Sequence, residues 1–345
     1  AMQSRRFGGA VPEHLQSHFL ALRPRLFNSD AFWDYWQQMA LPASYEQSVI
    51  LHETRFTPYF AAKGYIWDTY VNTDDLCGVF VNPIMACPAE LLQKRDCPFF
   101  KRRSLFTPYA DELRRTDGRA AGELYRYVKT HTEFPVDFLL ASLLQTQPMA
   151  ALAKNLHWNY VIAEPAAEAP DLAALGLRLL RYTLPAADPV TDWYNKKASA
   201  DADALLGRAA QLFEKKPLLG VLSPALPLWQ GCAAARRTQW QRDAWTLAEK
   251  AAVPVGSDPL PAPNCGWLLV REASFLDGIP PCTTQRDAWQ LALTAQAAGY
   301  YAAAFETAAQ AAARADVLDV YEADAARPAA VAKHLGRLIK HKLQK

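Results

Sequence analysis

Long apolar runs are missing from this 345-residue chain: nothing approaches the roughly 18 consecutive apolar residues that a membrane-crossing helix needs. Cysteine is sparse and scattered. Cys77, Cys87, Cys97, Cys232, Cys265 and Cys282 never come closer than ten residues, which excludes Cys-x-x-Cys zinc and redox motifs and argues against a disulfide scaffold at this length. Reduced, mostly buried thiols in a cytoplasmic protein are expected instead. An excess of either charge is also absent, since 37 Lys+Arg stand against 35 Asp+Glu for a net charge of +2. That balance does not suit a protein that neutralises phosphate along nucleic acid. The opening residues, Ala1 to Arg6, lack the apolar core of a secretory signal. Ala1 ahead of Met2 reads as a residue left by cloning, so the chain is expected to be a piece of a longer protein. What remains is 51% hydrophobic and 21% charged, an ordinary globular balance with length enough for two domains.

Local patterns then divide the chain. Phe19-Leu20-Ala21-Leu22, followed by Arg23, reads as a short buried strand ending in a basic turn. Ser29 caps a predicted helix whose Phe32, Tyr35 and Trp36 share one face. Ser44 opens a second, in which Val49, Phe56 and Phe60 recur at helical spacing and Gly64 closes the last turn. Alternation predicts a strand over YIWDTYV at 65–71, running into the turn Asn72-Thr73-Asp74-Asp75. Residues 120 to about 156 are helical in pattern, and an Ala/Pro-rich stretch with the Leu-rich segment DLAALGLRLLRYTL, read as a helix, marks a loose boundary near 165–190. Beyond it come a helix over DADALLGRAAQLFEKK and an apolar strand in LLGVLSPALP. The segment WLLVREASF at 267–275 aligns without gaps on FLALRPRLF at 19–27, and each is followed by a helix closed by Gly-Tyr, at Gly64-Tyr65 and Gly299-Tyr300. A duplicated unit is the expectation.

That order gives one carboxylate a chemical logic. Glu53 lies eleven residues before Gly64, which would put it at a helix start beside the carboxyl ends of a sheet, where ligands bind. There it could take a proton from an attacking sugar hydroxyl as general base; a solvated helix carboxylate, or an ion pair to Arg55 or Lys63, is the other reading. Asp287 is its counterpart, twelve residues before Gly299. His14, Gln16, Ser17 and His18 gather polar side chains beside the first predicted strand and could grip hydroxyls, or His18 could bind a divalent ion on a diphosphate. Asp74-Asp75 lacks Asp-x-Asp spacing and reads as a turn cap. Trp67, Trp158 and Tyr160 could stack on sugar faces, or simply be core. Lys101-Arg102-Arg103 and Lys196-Lys197 could neutralise phosphate or be solvated surface charge. The tail from Arg327 to Lys345 has six Lys/Arg, no acid, and a stripe of Leu335, Leu338, Ile339 and Leu343. It would suit anionic lipid, or a helix docked on the core.

The stretches HLQSHFLALRPRLFNSDAFWDYW, SVILHETRFTPYFAAKGYIWDTYVNTDD, NPIMACPAELLQKRDCPFFKRRSLF and LLQTQPMAALAKNLHWNYV resemble the rhamnan synthesis protein F family of bacterial polysaccharide glycosyltransferases. NKKASADADALLGRAAQLFEKKPLLGVLSP and GWLLVREASF follow the same order more loosely. The resemblance is dense over residues 14–162 and diluted over 190–305. It implies an α/β fold with GT-A-like glycosyltransferase elements, duplicated, with helical insertions. Residues 1–165 would be the acceptor-side half of one such domain plus a helical extension. Residues 166–345 would be a second, degenerate one ending in the basic helix. The implied activity is transfer of rhamnose or a related sugar from a nucleotide-activated donor, with Mg or Mn, onto a glycan or lipid-linked acceptor at the cytoplasmic face of the membrane. Glu53 would be the base, with His14, Gln16, Ser17, His18, Arg23 and Trp67 beside the substrate. Of the family's His-Asp-Lys-Lys-Ser pattern only Lys196-Lys197 are recognisable. Only thirteen residues precede His14, so the donor half with its Asp-x-Asp motif is expected outside this chain. A non-catalytic glycan-binding or scaffolding module of the same assembly machinery is the alternative.

Overall fold

In a computed structural model the described residues are 2–4, 9–76, 82–107, 119–158, 160–162, 171–184, 202–224, 243, 245–254, 266–308 and 311–312. Lys196, Lys197 and the basic tail after Arg327 lie outside them. The chain divides into two compact units, residues 1–104 with 109–120 and residues 105–108 with 121–345. The division therefore falls nearer 105–120 than the 165–190 suggested by composition.

Among the described residues the first unit is helical, apart from a two-stranded antiparallel ribbon of β1 (Met2–Ser4) and β2 (Gly9–Val11). Helix α1 (Asp30–Gln37) starts where the sequence indicates, with Ser29 accepting from the Phe32 amide. Ser44 likewise accepts from the Gln47 amide and opens α2 (Tyr45–Ser48). The chain then passes through a π-helical turn (Val49–Glu53) into α3 (Thr54–Ala62). Phe32, Val49 and Phe60 bury their apolar faces there. Gly64, at φ +83°, supplies the left-handed residue that ends the helix. Two short helices, α4 (Pro83–Ala86) and α5 (Pro88–Lys94), close a small core of Ile84, Met85, Leu91 and Cys97.

Two expected strands do not form in this unit. Residues 19–23 are irregular and pair with no strand ladder. Residues 65–69 are irregular as well, with Ile66 97% and Tyr70 81% exposed. Alternation without a partner strand or a buried face does not make a strand. Asp74 and Asp75 form the expected turn. Asn72 accepts from the Asp74 amide, and Arg95 donates two hydrogen bonds to the Asp75 carboxylate at 2.6 and 2.7 Å.

The second unit carries a five-stranded mixed sheet. Its strands are β3 (Tyr160–Ile162), β4 (Leu177–Arg181), β5 (Leu219–Pro224), β6 (Trp267–Arg271) and β7 (Tyr301–Glu306), in the order β3-β7-β5-β6-β4. β3, β7 and β5 run parallel, while β6 is antiparallel to β5 and β4. β5 and β7 are buried along their whole length, as near-continuous apolar runs require when both faces are covered. The helices α6 (Ala120–His131), α7 (Val136–Thr146) and α8 (Met149–Leu156) occupy the stretch read as helical. α9 (Ala202–Lys215) and α10 (Gln285–Ala297) pack on the sheet. The Leu-rich stretch expected to be a helix instead contains β4. Gly176 at φ +63° interrupts it, and β6 supplies the partner edge for LRLLR.

The proposed repeat is thus half realised. WLLVR is a central strand whose Arg271 donates to the Leu219, Phe213 and Lys216 carbonyls at 3.0, 2.7 and 3.3 Å, capping the end of α9. Its aligned partner FLALR is no strand, and Arg23 is exposed. Asp287 is not a free acid: it accepts from the Thr283 and Thr284 amides as the third residue of a capping box on α10.

Candidate functional site

The π-helical turn is where the site begins. In such a turn the carbonyls lose their usual i→i+4 partners, and side chains make up for it here. Thr54 Oγ1 donates to the Ile50 carbonyl at 3.0 Å, and Tyr35 donates to the His52 carbonyl at 3.3 Å. Glu53 is the last residue of the turn, and Thr57 lies four residues on, on the same helical face.

That face holds residues 14–17 in place. The Leu15 amide donates to Thr57 Oγ1 at 2.9 Å. The Ser17 amide donates to Glu53 Oε2 at 3.0 Å, and the Ser17 hydroxyl donates to the same oxygen. His14 Nε2 stands 3.9 Å from Glu53 Oε1, while His14 Nδ1 donates to the Pro12 carbonyl at 2.7 Å. Gln16 is fixed from two sides. Lys101 Nζ donates to its Oε1 and its Nε2 donates to Asn82 Oδ1, both at 3.3 Å.

The electrostatics follow from this packing. The imidazole of His14, with help from Ser17 and against the opposing effect of burial, lowers the Glu53 carboxyl to about 2. Glu53 in turn raises His14 above its ordinary value, so the two are oppositely charged in weakly acidic solution. Burial, reinforced by the Lys101 ammonium, lowers His18 and keeps that ring neutral. Oε2 of Glu53 thus has both its acceptor positions used by Ser17, whereas Oε1 faces His14 at a distance too long for a direct hydrogen bond.

The structure therefore brings together Glu53, His14, Gln16 and Ser17, and adds Lys101 from the basic run. His18 belongs to the same segment. Glu53 is bonded neither to Arg55 nor to Lys63, the partners its sequence neighbourhood suggests. Arg23 and Trp67 are exposed and take no part in the network. Trp158 is core: it is 5% exposed and stacks on Tyr301 with ring centroids 4.3 Å apart. Thr57 and Asn82 were not singled out from the sequence. Thr57 had a visible signal in its i+4 spacing from Glu53; Asn82 had none.

Among the described residues no three His, Cys, Asp or Glu side chains gather to hold a metal ion. The model of the family described as rhamnan synthesis protein F matches residues 3–174, which contain the whole of this network. The chain belongs to that family. Comparisons with curated proteins and with solved structures gave no match. Membership of the rhamnan synthesis protein F family gives the chain a role in the synthesis of rhamnan polysaccharide. Among the described residues no helix is long and apolar enough to cross a membrane.

Proposed function

We propose that this member of the rhamnan synthesis protein F family is a glycosyltransferase, moving rhamnose or a related sugar from a nucleotide-activated donor onto a glycan acceptor. The observation that carries the reading is the gap between His14 and Glu53. A hydroxyl oxygen about 2.8 Å from both His14 Nε2 and Glu53 Oε1 closes a triangle on the 3.9 Å side. His14 donates to that oxygen and Glu53 accepts its proton. As that proton is given up, the acceptor oxygen forms the new bond to the anomeric carbon and the nucleotide leaves with the electron pair of the broken bond. A carboxylate held near 2 is a weak base for a resting alcohol. The hydroxyl becomes strongly acidic only once its oxygen has begun to bond to carbon, so proton transfer accompanies that bond. Ser17 holds Glu53 in place, and Gln16, His18, Arg23 and Trp67 are assigned to contacts with the acceptor. The parallel strands β3, β7 and β5 support a GT-A-like reading of the second unit.

The test is release of nucleoside diphosphate when the purified chain is given nucleotide-activated rhamnose and a rhamnan oligosaccharide. Release that depends on the oligosaccharide is expected. Binding of the oligosaccharide with no release supports the second reading, a non-catalytic glycan-binding module, which the full occupation of Oε2 by Ser17 favours. The same proposal puts the protein at the cytoplasmic membrane surface through its basic tail, with about 1 kcal/mol from each Lys or Arg at an anionic surface. Co-sedimentation with phosphatidylglycerol vesicles that is lost above 0.5 M salt, at roughly a 4 Å screening length, is the expected sign. Sedimentation unchanged by salt would contradict it.

A further inference from the structure

Tyr35 lies half-buried on α1, with the rings of Phe56, Tyr59 and Phe60 at 5.6, 4.9 and 5.3 Å between centroids. That packing fixes where its hydroxyl can point, and the hydroxyl donates to the His52 carbonyl at 3.3 Å. The His52 ring is held as well, its Nε2 donating to the Ala40 carbonyl at 2.8 Å. Helix α1 and the loop after it thus grip both the main chain and the side chain of the residue directly before Glu53. The grip falls on an unusual piece of backbone. α2, the π-helical turn and α3 follow one another without a break from Tyr45 to Ala62. Val49, Thr54, Thr57 and Phe60 are buried along that run, and the first step between them is five residues. Five residues of α-helix would set Val49 and Thr54 about 140° apart around the axis. The wider π turn lets both face inward, and Glu53 leaves the helix from within that widening. One residue of slippage in the turn corresponds to about 100° of rotation, enough to take the carboxylate off Ser17 and away from His14. π turns inside α-helices occur frequently at functional sites.

We propose that Tyr35 is a positioning residue for Glu53: its hydroxyl, acting through the His52 carbonyl, holds the π-helical turn in the form that sets Glu53 against Ser17 and His14. Thr54 assists from within the helix, through its bond to the Ile50 carbonyl at 3.0 Å. Neither side chain touches the reacting atoms. The inference rests on the reading of Glu53 as base for its effect on rate, but the placement of Glu53 is read separately, from His14.

The experiment compares Tyr35→Phe with wild type in the full chain by two readouts, proton NMR titration of the His14 ring and the kinetics of sugar transfer. The substitution keeps the ring and its packing and removes only the hydroxyl. The His14 midpoint, raised by Glu53 in the wild type, should fall toward 6.5. The turnover number kcat should fall about tenfold, with KM for the donor within about twofold of wild type. Tyr59→Phe, which takes a hydroxyl from the same group of rings, should change neither readout. Thr54→Val should act like Tyr35→Phe, and Thr54→Ser, which keeps the hydroxyl, like the wild type. Circular dichroism and thermal melting check that each variant is folded. An unchanged His14 midpoint in Tyr35→Phe overturns the proposal whatever the rate does, and so does an equal fall in Tyr59→Phe. A lowered midpoint with unchanged kcat supports the positioning of Glu53 by Tyr35 and counts instead against Glu53 as the base.

Discussion

Glu53 is tied down through one oxygen and left approachable at the other, and its environment rather than its residue type decides what it can do. Because His14 and Ser17 lower its carboxyl from 4.5 to about 2, its contribution to stability is present above pH 4.5 and fades as the pH falls toward 2. His14 is shifted the other way, above 6.5. Its contribution is complete below pH 6.5 and is lost as the pH rises through the folded value. The pair therefore stabilises the 14–17 segment most between about pH 4.5 and 6.5. Proton NMR of the His14 ring should show a midpoint above 6.5 that falls in Glu53→Gln. A midpoint at or below 6.5 in the wild type would contradict the pairing. Sequence spacing pointed to Glu53, and the cluster of His14, Gln16, Ser17 and His18 was visible as a run of polar side chains. Their mutual arrangement was not visible, because it depends on a π-helical turn with no reliable sequence signature. Pro58, which has no N–H to give to the Thr54 carbonyl in the next turn, is the nearest thing to a sign.

At the scale of elements, the two Gly-Tyr helix ends show what local signals do and do not fix. Both glycines take up left-handed backbone, at φ +83° and +86°, as a C-terminal glycine should. Their surroundings differ. A β-carbon on Gly64 would meet nothing within 4 Å, whereas one on Gly299 would lie 3.0 Å from the Ala141 carbonyl oxygen. Gly64→Ala should thus cost about 1 kcal/mol from backbone strain alone, and Gly299→Ala clearly more, read from urea unfolding midpoints. Equal losses would count against the close packing of α10 on α7. Arg271 offers a parallel case, since its guanidinium satisfies three carbonyls around the end of α9 and lies over the Phe213 ring, 5.3 Å from its centroid. Arg271→Ala should destabilise by roughly 2 kcal/mol or more; a change under about 0.5 kcal/mol would show that solvent replaces those bonds. Caps and helices were legible because they are set within a few residues. The strands expected at 19–22 and 65–71 were not, because a strand needs a partner edge and a buried face that only the rest of the fold can supply.

At the scale of the molecule, the family match spans residues 3–174 and so includes parts of both compact units. The α/β class was legible from the apolar runs at 219–224 and 267–271. The mixed order of the sheet was not, since β4 hides in a Leu-rich stretch that reads equally well as a helix. What the molecule is for turns on whether a proton passes to Glu53 during sugar transfer. The most direct measurement is the turnover number of Glu53→Gln against wild type, with nucleotide-activated rhamnose and a rhamnan oligosaccharide. The variant keeps an oxygen for Ser17 to bond but takes up no proton. A fall of about 100-fold or more in kcat is expected, with oligosaccharide binding and the melting transition near those of the wild type. A rate within threefold of wild type would contradict the account.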